Sequence, residues 1–311
     1  MKAGDLPTVS VAIWTCDQEA FIGQAIESVL EQDYPLLELV IADDHSSDGT
    51  PRIVSDYARR HRQVIKPLLH QGSRSIVANF NRALSACSGE LVAILDGDDV
   101  YLPGKLSAQV DVFRREPNAV LCRHPVEVFD DRTGATLRIE DPNPAQGRAR
   151  AIDLVAKGNF VPTASSMMRR AAMPPGGAPL GIEHAPDWIF AIETARLGTI
   201  VRIPRVLSRY RVHAGQITSV ASGEDAVFLD AMRTLSYVEK RYPDLASAVP
   251  RGRRAVTAWE AHRRLTGTSD IRWINAGLRT ALRHDPLRLL LWRAVAAANA
   301  RYLWRTLRSC N

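Results

Sequence analysis

The sequence predicts an α/β fold, a mixed, mostly parallel sheet flanked by helices, and three observations predict it. Over the first 125 residues, short apolar runs alternate with segments of helical periodicity. The runs are apolar throughout, as expected of strands covered on both faces. Two of them end in aspartate clusters, at the carboxyl ends where open α/β sheets bind ligands.

Residues 9–13 form the first run. Phe21, Ile22, Ala25, Ile26, Val29 and Leu30 follow at helical spacing. The second run, 37–42, ends at Asp43-Asp44-His45-Ser46-Ser47-Asp48-Gly49, a stretch of turn formers. Thr50 then reads as an N-cap with Pro51 at the first helical position, and Ile53, Val54, Tyr57 and Ala58 continue the helix. Residues 64–69 are a third strand, and Ile76, Val77, Phe80 and Leu84 mark a third helix. The fourth run, 91–95, stops at Asp96-Gly97-Asp98-Asp99. Leu106, Val110 and Phe113 follow Pro103 on a helix, and 119–122 is the fifth strand. Beyond 125 the alternation breaks down. A hairpin is expected at 127–129 and 136–139, Pro/Gly-rich loops at 141–150 and 173–181, and helices at 187–197 and 227–238. Short strands are expected at 200–203 and 208–212. The layout is Rossmann-like, with a helical extension at the C-terminal end.

In a chain of 311 residues, 46% hydrophobic and 24% charged, composition excludes a disordered chain, a collagen-like repeat and a disulfide miniprotein. Cys16, Cys87, Cys122 and Cys310 lie far apart, without the spacing of a zinc site, and are expected as free thiols in a reducing cytosol. The N-terminal residues lack the apolar region of a signal peptide, and no run of about 18 apolar residues offers a membrane span. The expected location is cytoplasmic, or peripheral on the cytosolic face of the plasma membrane. The net charge of +6 is unevenly placed: residues 251–311 hold thirteen arginines against Glu260, Asp270 and Asp285, which leaves residues 1–250 net negative at −4. Leu289, Trp292, Val295, Ala296, Leu303 and Leu307 share one helical face, opposite Arg293, Arg301, Arg305 and Arg308. Such a helix suits an anionic membrane surface, or packs on the preceding domain or on a second copy in a homodimer. No nucleic-acid motif accompanies the charge.

Carboxylates gathered on one sheet edge repel one another unless a cation or hydrogen-bond donors intervene. A hard divalent ion shared with a diphosphate meets that need, although strand-end aspartates also simply start turns and cap helices. A receiver domain needs a lysine late in the sheet, and Lys157 and Lys240, the lysines after Asp99's helix, follow no strand run. A haloacid-dehalogenase-like phosphohydrolase would use Asp96 as nucleophile, but its motif opens the fold, whereas three strands precede Asp96 here. A nucleotide-sugar glycosyltransferase would read the nucleotide with one cluster and hold metal with the other; a non-catalytic nucleotide-sugar-binding protein is the remaining reading.

The blocks and their order resemble glycosyltransferase family 2, with the glycosyltransferase A fold. They are Val9-Ser-Val-Ala-Ile-Trp-Thr-Cys-Asp-Gln-Glu, Ala25-Ile-Glu-Ser-Val-Leu-Glu-Gln-Asp-Tyr-Pro, Leu39-Val-Ile-Ala-Asp-Asp-His-Ser-Ser-Asp-Gly-Thr, Asn81, Gly89-Glu90, Leu95-Asp-Gly-Asp-Asp-Val-Tyr-Leu-Pro with Lys105-Leu106, and Tyr210-Arg-Val-His213 with Thr218. The resemblance implies a catalytic domain over 1–222, with a nucleotide-binding half (1–125) and an acceptor half (126–222), followed by the Arg-rich extension 223–311. It implies that Asp44, Asp43 and Thr15 contact the nucleotide base. Asp96 would lie against the ribose and metal-bound water, while Asp98, completed by His213, would ligate Mn²⁺ or Mg²⁺. The family inverts the anomeric centre, so one base must deprotonate the acceptor hydroxyl. Asp187 is the candidate, with Glu183 as fallback. The donor would be a nucleotide sugar, UDP-linked by preference, and the acceptor a saccharide or glycolipid in surface polysaccharide synthesis, held near residues 163–169 and 174–181. The chain departs from the family where Pro186 precedes Asp187, where Glu193 replaces an arginine, and where Trp14, Cys16 and Asp17 replace proline, tyrosine and asparagine.

Overall fold

A computed structural model describes residues 6–142, 147–216 and 221–267. The amphipathic segment at 289–308, Cys310 and Thr218 lie outside those residues. The expected alternation is realised as β1 (Val9–Thr15), α1 (Ile22–Leu30), β2 (Leu36–Asp43), α2 (Thr50–Arg60), β3 (Ile65–Leu69), α3 (Ile76–Ser85) and β4 (Leu91–Asp96). β1 lies parallel between β2 and β4, and β2 pairs in parallel with β3. Side chains on both faces of β1 are buried, Val11 and Ile13 on one and Ser10 and Ala12 on the other. That is why the run could be almost entirely apolar, Ser10 excepted. α1 covers the sheet with Ile22, Ala25, Ile26 and Val29, and burying each branched aliphatic contributes about 1.5–3 kcal/mol.

α2 begins one residue from its expected cap. Gly49 holds the N-cap position, Thr50 is the first helical residue, and Pro51 follows. Asp48 takes over the capping chemistry, its Oδ1 accepting the Thr50 N–H at 2.9 Å. The Thr50 hydroxyl is thereby free to accept from Gln18 N–H at 2.9 Å, tying α2 to the turn after β1.

The second half runs β5 (Val100–Tyr101), α4 (Lys105–Arg115), β6 (Ala119–Arg123), β7 (Val126–Asp130), β8 (Thr136–Glu140), β9 (Arg148–Ala149), α5 (Ala151–Lys157), β10 (Met167–Arg169), α6 (Pro186–Ala195), β11 (Thr199–Arg202) and β12 (Ser208–Val212). Among the described residues the main sheet is ordered β3-β2-β1-β4-β10-β6-β11-β9, and a second sheet β5-β12-β7-β8. β7 and β8 form the expected hairpin. Three short strands and α5 were not foreseen. β10 inserts antiparallel between β4 and β6. It buries Met167 and Met168, so the methionines of the expected acceptor segment are core residues. β9 pairs with β11 inside an expected loop. β5 pairs with β12 through Tyr101↔Ser208 and Val100↔Arg209, which returns the chain after β12 to the turn after β4.

The chain divides into two compact units, Met1–Leu154 with Asn159–Asp230, and Val155–Gly158 with Ala231–Asn311. α7 (Ala221–Arg241) spans the change from one to the other. In the second unit α8 (Pro243–Ala246) and α9 (Val249–Gly267) follow, and Leu235, Val238, Leu245 and Val249 are buried. No helix among the described residues is long and apolar enough to cross a membrane.

Candidate active site

Strand register places the first group of residues. Thr15 pairs with Asp43 and Trp14 with Asp96, so the carboxyl ends of β2, β1 and β4 stand side by side. Buried Asn79 of α3 fastens the ends of β2 and β1, donating to the carbonyls of Ala42 (2.9 Å) and Thr15 (3.4 Å). Both oxygens of Asp43 are engaged by Ser46, through its N–H at 3.0 Å and its hydroxyl. Asp44 differs. Its Oδ2 accepts from Ser75 N–H at 2.8 Å, but its buried Oδ1 has no hydrogen-bond partner among the described residues. Burial raises its pKa. An orphaned buried acceptor is costly unless a ligand satisfies it, and Asp44 is the member of the pair available to do so. The Thr15 hydroxyl donates to Gln18 Oε1 at 2.7 Å.

Two residues of the adjoining turns hold left-handed backbone, Asp17 (φ 51°) and His45 (φ 57°). Asp17 accepts from Ser47 N–H at 2.7 Å and pairs with Arg74 at 2.7 Å. Aspartate tolerates that conformation better than most residues, so the departure from asparagine keeps the turn and adds an ion pair.

The turn after β4 packs tightly on β1. A side chain at Gly97 would meet Gln18 Oε1 at 2.4 Å and Thr15 Cβ at 2.8 Å. Asp98 and Asp99 are buried and Asp96 is half-buried. Burial is the main cause pushing the pKa of Asp96 well up, with Asp98 and then Asp187 adding to it. Asp99 is likewise pushed well up by burial, then by Asp98 and Asp96, and its Oδ2 has no partner among the described residues. His213, just past β12, brings Nε2 to 3.0 Å from Asp98 Oδ2. The two residues expected to share a metal therefore meet.

Among the described residues no group of three or more carboxylate, imidazole or thiolate side chains forms a complete metal cage. The residues present nonetheless fit a hard divalent ion. One carboxylate and one imidazole nitrogen converge, beside acids whose mutual repulsion favours a cation, and diphosphate oxygens and water commonly complete such sites.

Asp187 sits in the first turn of α6, after Ala185 at the N-cap and Pro186. It is therefore not the cap residue. Its Oδ2 accepts from Asn159 Nδ2 at 2.7 Å and from the Thr163 hydroxyl at 3.4 Å. With Phe80, Ile94, Leu121 and Phe190 it lines a cavity of about 10 Å³, and burial raises its pKa. Its charge is a further cause, after burial and Asp98, of the raised pKa of Asp96, and Ile94 of β4 lines the same cavity as Asp187. Glu183 instead accepts from the Ser75 hydroxyl at 3.1 Å, on the Asp44 side. Asn159 and Arg211 were not singled out from sequence. Asn159 follows Gly158 with no motif around it; Arg211 lay inside the Tyr210–His213 block but without an assigned role.

The model of the family described as Glycosyl transferase family 2 matches residues 10–173, just over half of the chain. The uncharacterized protein Rv1520 of Mycobacterium tuberculosis (strain ATCC 25618 / H37Rv) is 34% identical over 214 residues, covering 66% of this chain and 59% of that protein. The chain thus spans about three fifths of that relative's length. Among solved structures, S. aureus TarS 1-349 in complex with UDP is similar with a TM-score of 0.64 and 17% identity, over 98% of this chain and 92% of that one. The mannosyltransferase PcManGT from Pyrobaculum calidifontis, in complex with GDP-Man and Mn2+, gives 0.57 and 21%, over 96% and 88%. At these identities the likeness is one of fold.

Proposed function

The chain belongs to glycosyl transferase family 2, and from that premise we propose that it transfers a sugar from a nucleoside-diphosphate donor to a saccharide or glycolipid acceptor, with inversion at the anomeric carbon. The observation that supports this reading most is the Asp98–His213 pair at 3.0 Å. With it stand the unsatisfied Asp44 oxygen past the end of β2 and the influence of Asp187 on Asp96.

Asp44 accepts an N–H of the base, with Thr15 and Asp43 shaping the pocket around it. A uracil imide offers one such N–H, and the UDP complex of TarS agrees with a uridine donor. Asp98 and His213 would hold Mn²⁺ or Mg²⁺, which would supply neutralisation of charge on a departing diphosphate; PcManGT with its Mn2+ supports that choice. Asp96 lies against the ribose side. Asp187 accepts the proton of the acceptor hydroxyl as its oxygen bonds the anomeric carbon and the bond to the diphosphate breaks. Its raised pKa makes it a better base than an exposed aspartate, while Asn159 and Thr163 fix its direction. The acceptor would lie against the acceptor half, 126–222, as part of a surface polysaccharide. Arg293, Arg301, Arg305 and Arg308 fit work beside an anionic membrane.

The test is a donor panel with and without Mn²⁺, followed by nucleoside-diphosphate release in the presence of acceptor. Asp187→Asn is expected to bind donor as the wild type does and to lose turnover at least about 100-fold. Retained turnover would remove Asp187 from this role.

A further inference from the structure

Arg211 makes more polar contacts around the β4 turn than its place on a short strand requires. It is 5% exposed. Its backbone N–H donates to Asp99 Oδ1 at 2.9 Å and its Nε to the Asp98 carbonyl at 2.7 Å. The two remaining guanidinium nitrogens donate to Asp131 Oδ1, at 2.6 Å, and to Gln24 Oε1. The guanidinium lies 4.8 Å from the rings of both Phe21 and Phe129, and the Phe21 ring is 4.4 Å from that of His213. One side chain thus grips the main chain at Asp98, anchors on α1 and on the loop after β7, and stacks on the ring against which His213 rests.

We propose that Arg211 is a positioning residue that sets the spacing of Asp98 and His213, so that the pair is preformed for a divalent cation. This rests on the reading of Asp98 and His213 as metal ligands. Charge alone does not explain the contacts. The guanidinium uses three directions in one plane and two ring faces, which an ammonium cannot reproduce. Arg211→Lys keeps the charge beside Asp131 but gives up the simultaneous grip on the Asp98 carbonyl, Asp131 and Gln24. Its consequence is a looser Asp98–His213 pair, rather than a lost one.

The experiment measures Mn²⁺ binding to the full-length protein with UDP present, by loss of the free Mn²⁺ electron paramagnetic resonance signal, alongside UDP binding without metal. For Arg211→Lys, Mn²⁺ affinity should fall about tenfold or more, the range for residues that orient metal ligands. Metal-free UDP affinity should stay within about twofold, and excess Mn²⁺ should restore kcat. A merely structural role would lower both affinities together and resist rescue, and that outcome, like unchanged Mn²⁺ affinity, overturns the proposal. Asp131→Asn, which loosens one anchor at a partly exposed position, should weaken Mn²⁺ in the same direction. It decides the matter if Arg211→Lys fails to fold, because unchanged affinity there also overturns the proposal. Asp98→Asn separates the underlying reading. If it binds Mn²⁺ as the wild type does, the metal pair is wrong and the inference falls with it. If it loses Mn²⁺ while Arg211→Lys does not, Arg211 alone is misassigned.

Discussion

Asp187, the proposed general base, shows how neighbours tune a carboxylate. Burial raises its pKa, and the Asn159 amide, the strongest opposing contact, lowers it by hydrogen-bonding the ionised form. Asn159→Ala removes that donor, so the pKa of Asp187 must rise further. A base works deprotonated, and activity falls as pH drops through its pKa. The acidic limb of kcat/KM should therefore move to higher pH in the variant, with a several-fold loss at acidic pH that recovers in alkali. A pH–rate profile with an unmoved acidic limb would show that Asn159 does not act on the base. The sequence singled out Asp187 as a candidate but not Asn159, since the two are 28 positions apart and no periodicity links them. Asp98 and His213, 115 apart, were legible only because both lay in blocks resembling a known family.

Strand assignment was the most legible level, because a buried parallel strand leaves an uninterrupted apolar run. β10 escaped detection because three residues offer no pattern, and its antiparallel entry between β4 and β6 is fixed by tertiary pairing. Glu38 in β2 is the converse case, a carboxylate inside a run read correctly as a strand. It is 2% exposed and accepts from the Ser10 hydroxyl at 2.6 Å, from Ser88 N–H and hydroxyl at 2.5 and 2.8 Å, and from Lys66. The Ser10 hydroxyl in turn accepts from Gly89 N–H at 2.8 Å, so β2, β1 and the start of β4 are joined through one carboxylate. Burial opposes its charge, but these donors, Lys66 foremost, hold the pKa down at about 2 from 4.5. A depressed carboxylate stabilises the fold above the unfolded pKa and loses that contribution as pH falls toward the folded one. A shift of this size corresponds to about 3 kcal/mol. Glu38→Gln should lower the melting temperature at pH 7, and the gap to wild type should narrow between pH 5 and pH 2. A gap that stayed constant across that range would mean that packing, not charge, is lost.

At the scale of the whole molecule, the sequence separated a net negative N-terminal part from an arginine-rich end, and the fold explains what the negative part accomplishes. Parallel register brings the ends of β1, β2 and β4 together, and the pairing of β5 with β12 returns His213 to the same edge. Within the turn after β4, burial and then Asp98 raise the pKa of both Asp96 and Asp99, its close neighbours in sequence. On the proposed function, this edge trades some stability for ligand binding. Replacing Asp98 by asparagine removes the charge that acts on both neighbours and keeps a side chain able to hydrogen-bond His213. The ligand-free variant should therefore melt higher than wild type, by about 2–4 °C for each kcal/mol of repulsion relieved. Adding UDP and Mn²⁺ together should stabilise the wild type by binding the native state alone, and the increment due to Mn²⁺ should vanish in Asp98→Asn. The two effects have opposite signs, which distinguishes a site under electrostatic strain from a residue that merely supports the fold. A ligand-free Asp98→Asn protein melting below wild type would show that the acids at this edge are not strained by Asp98.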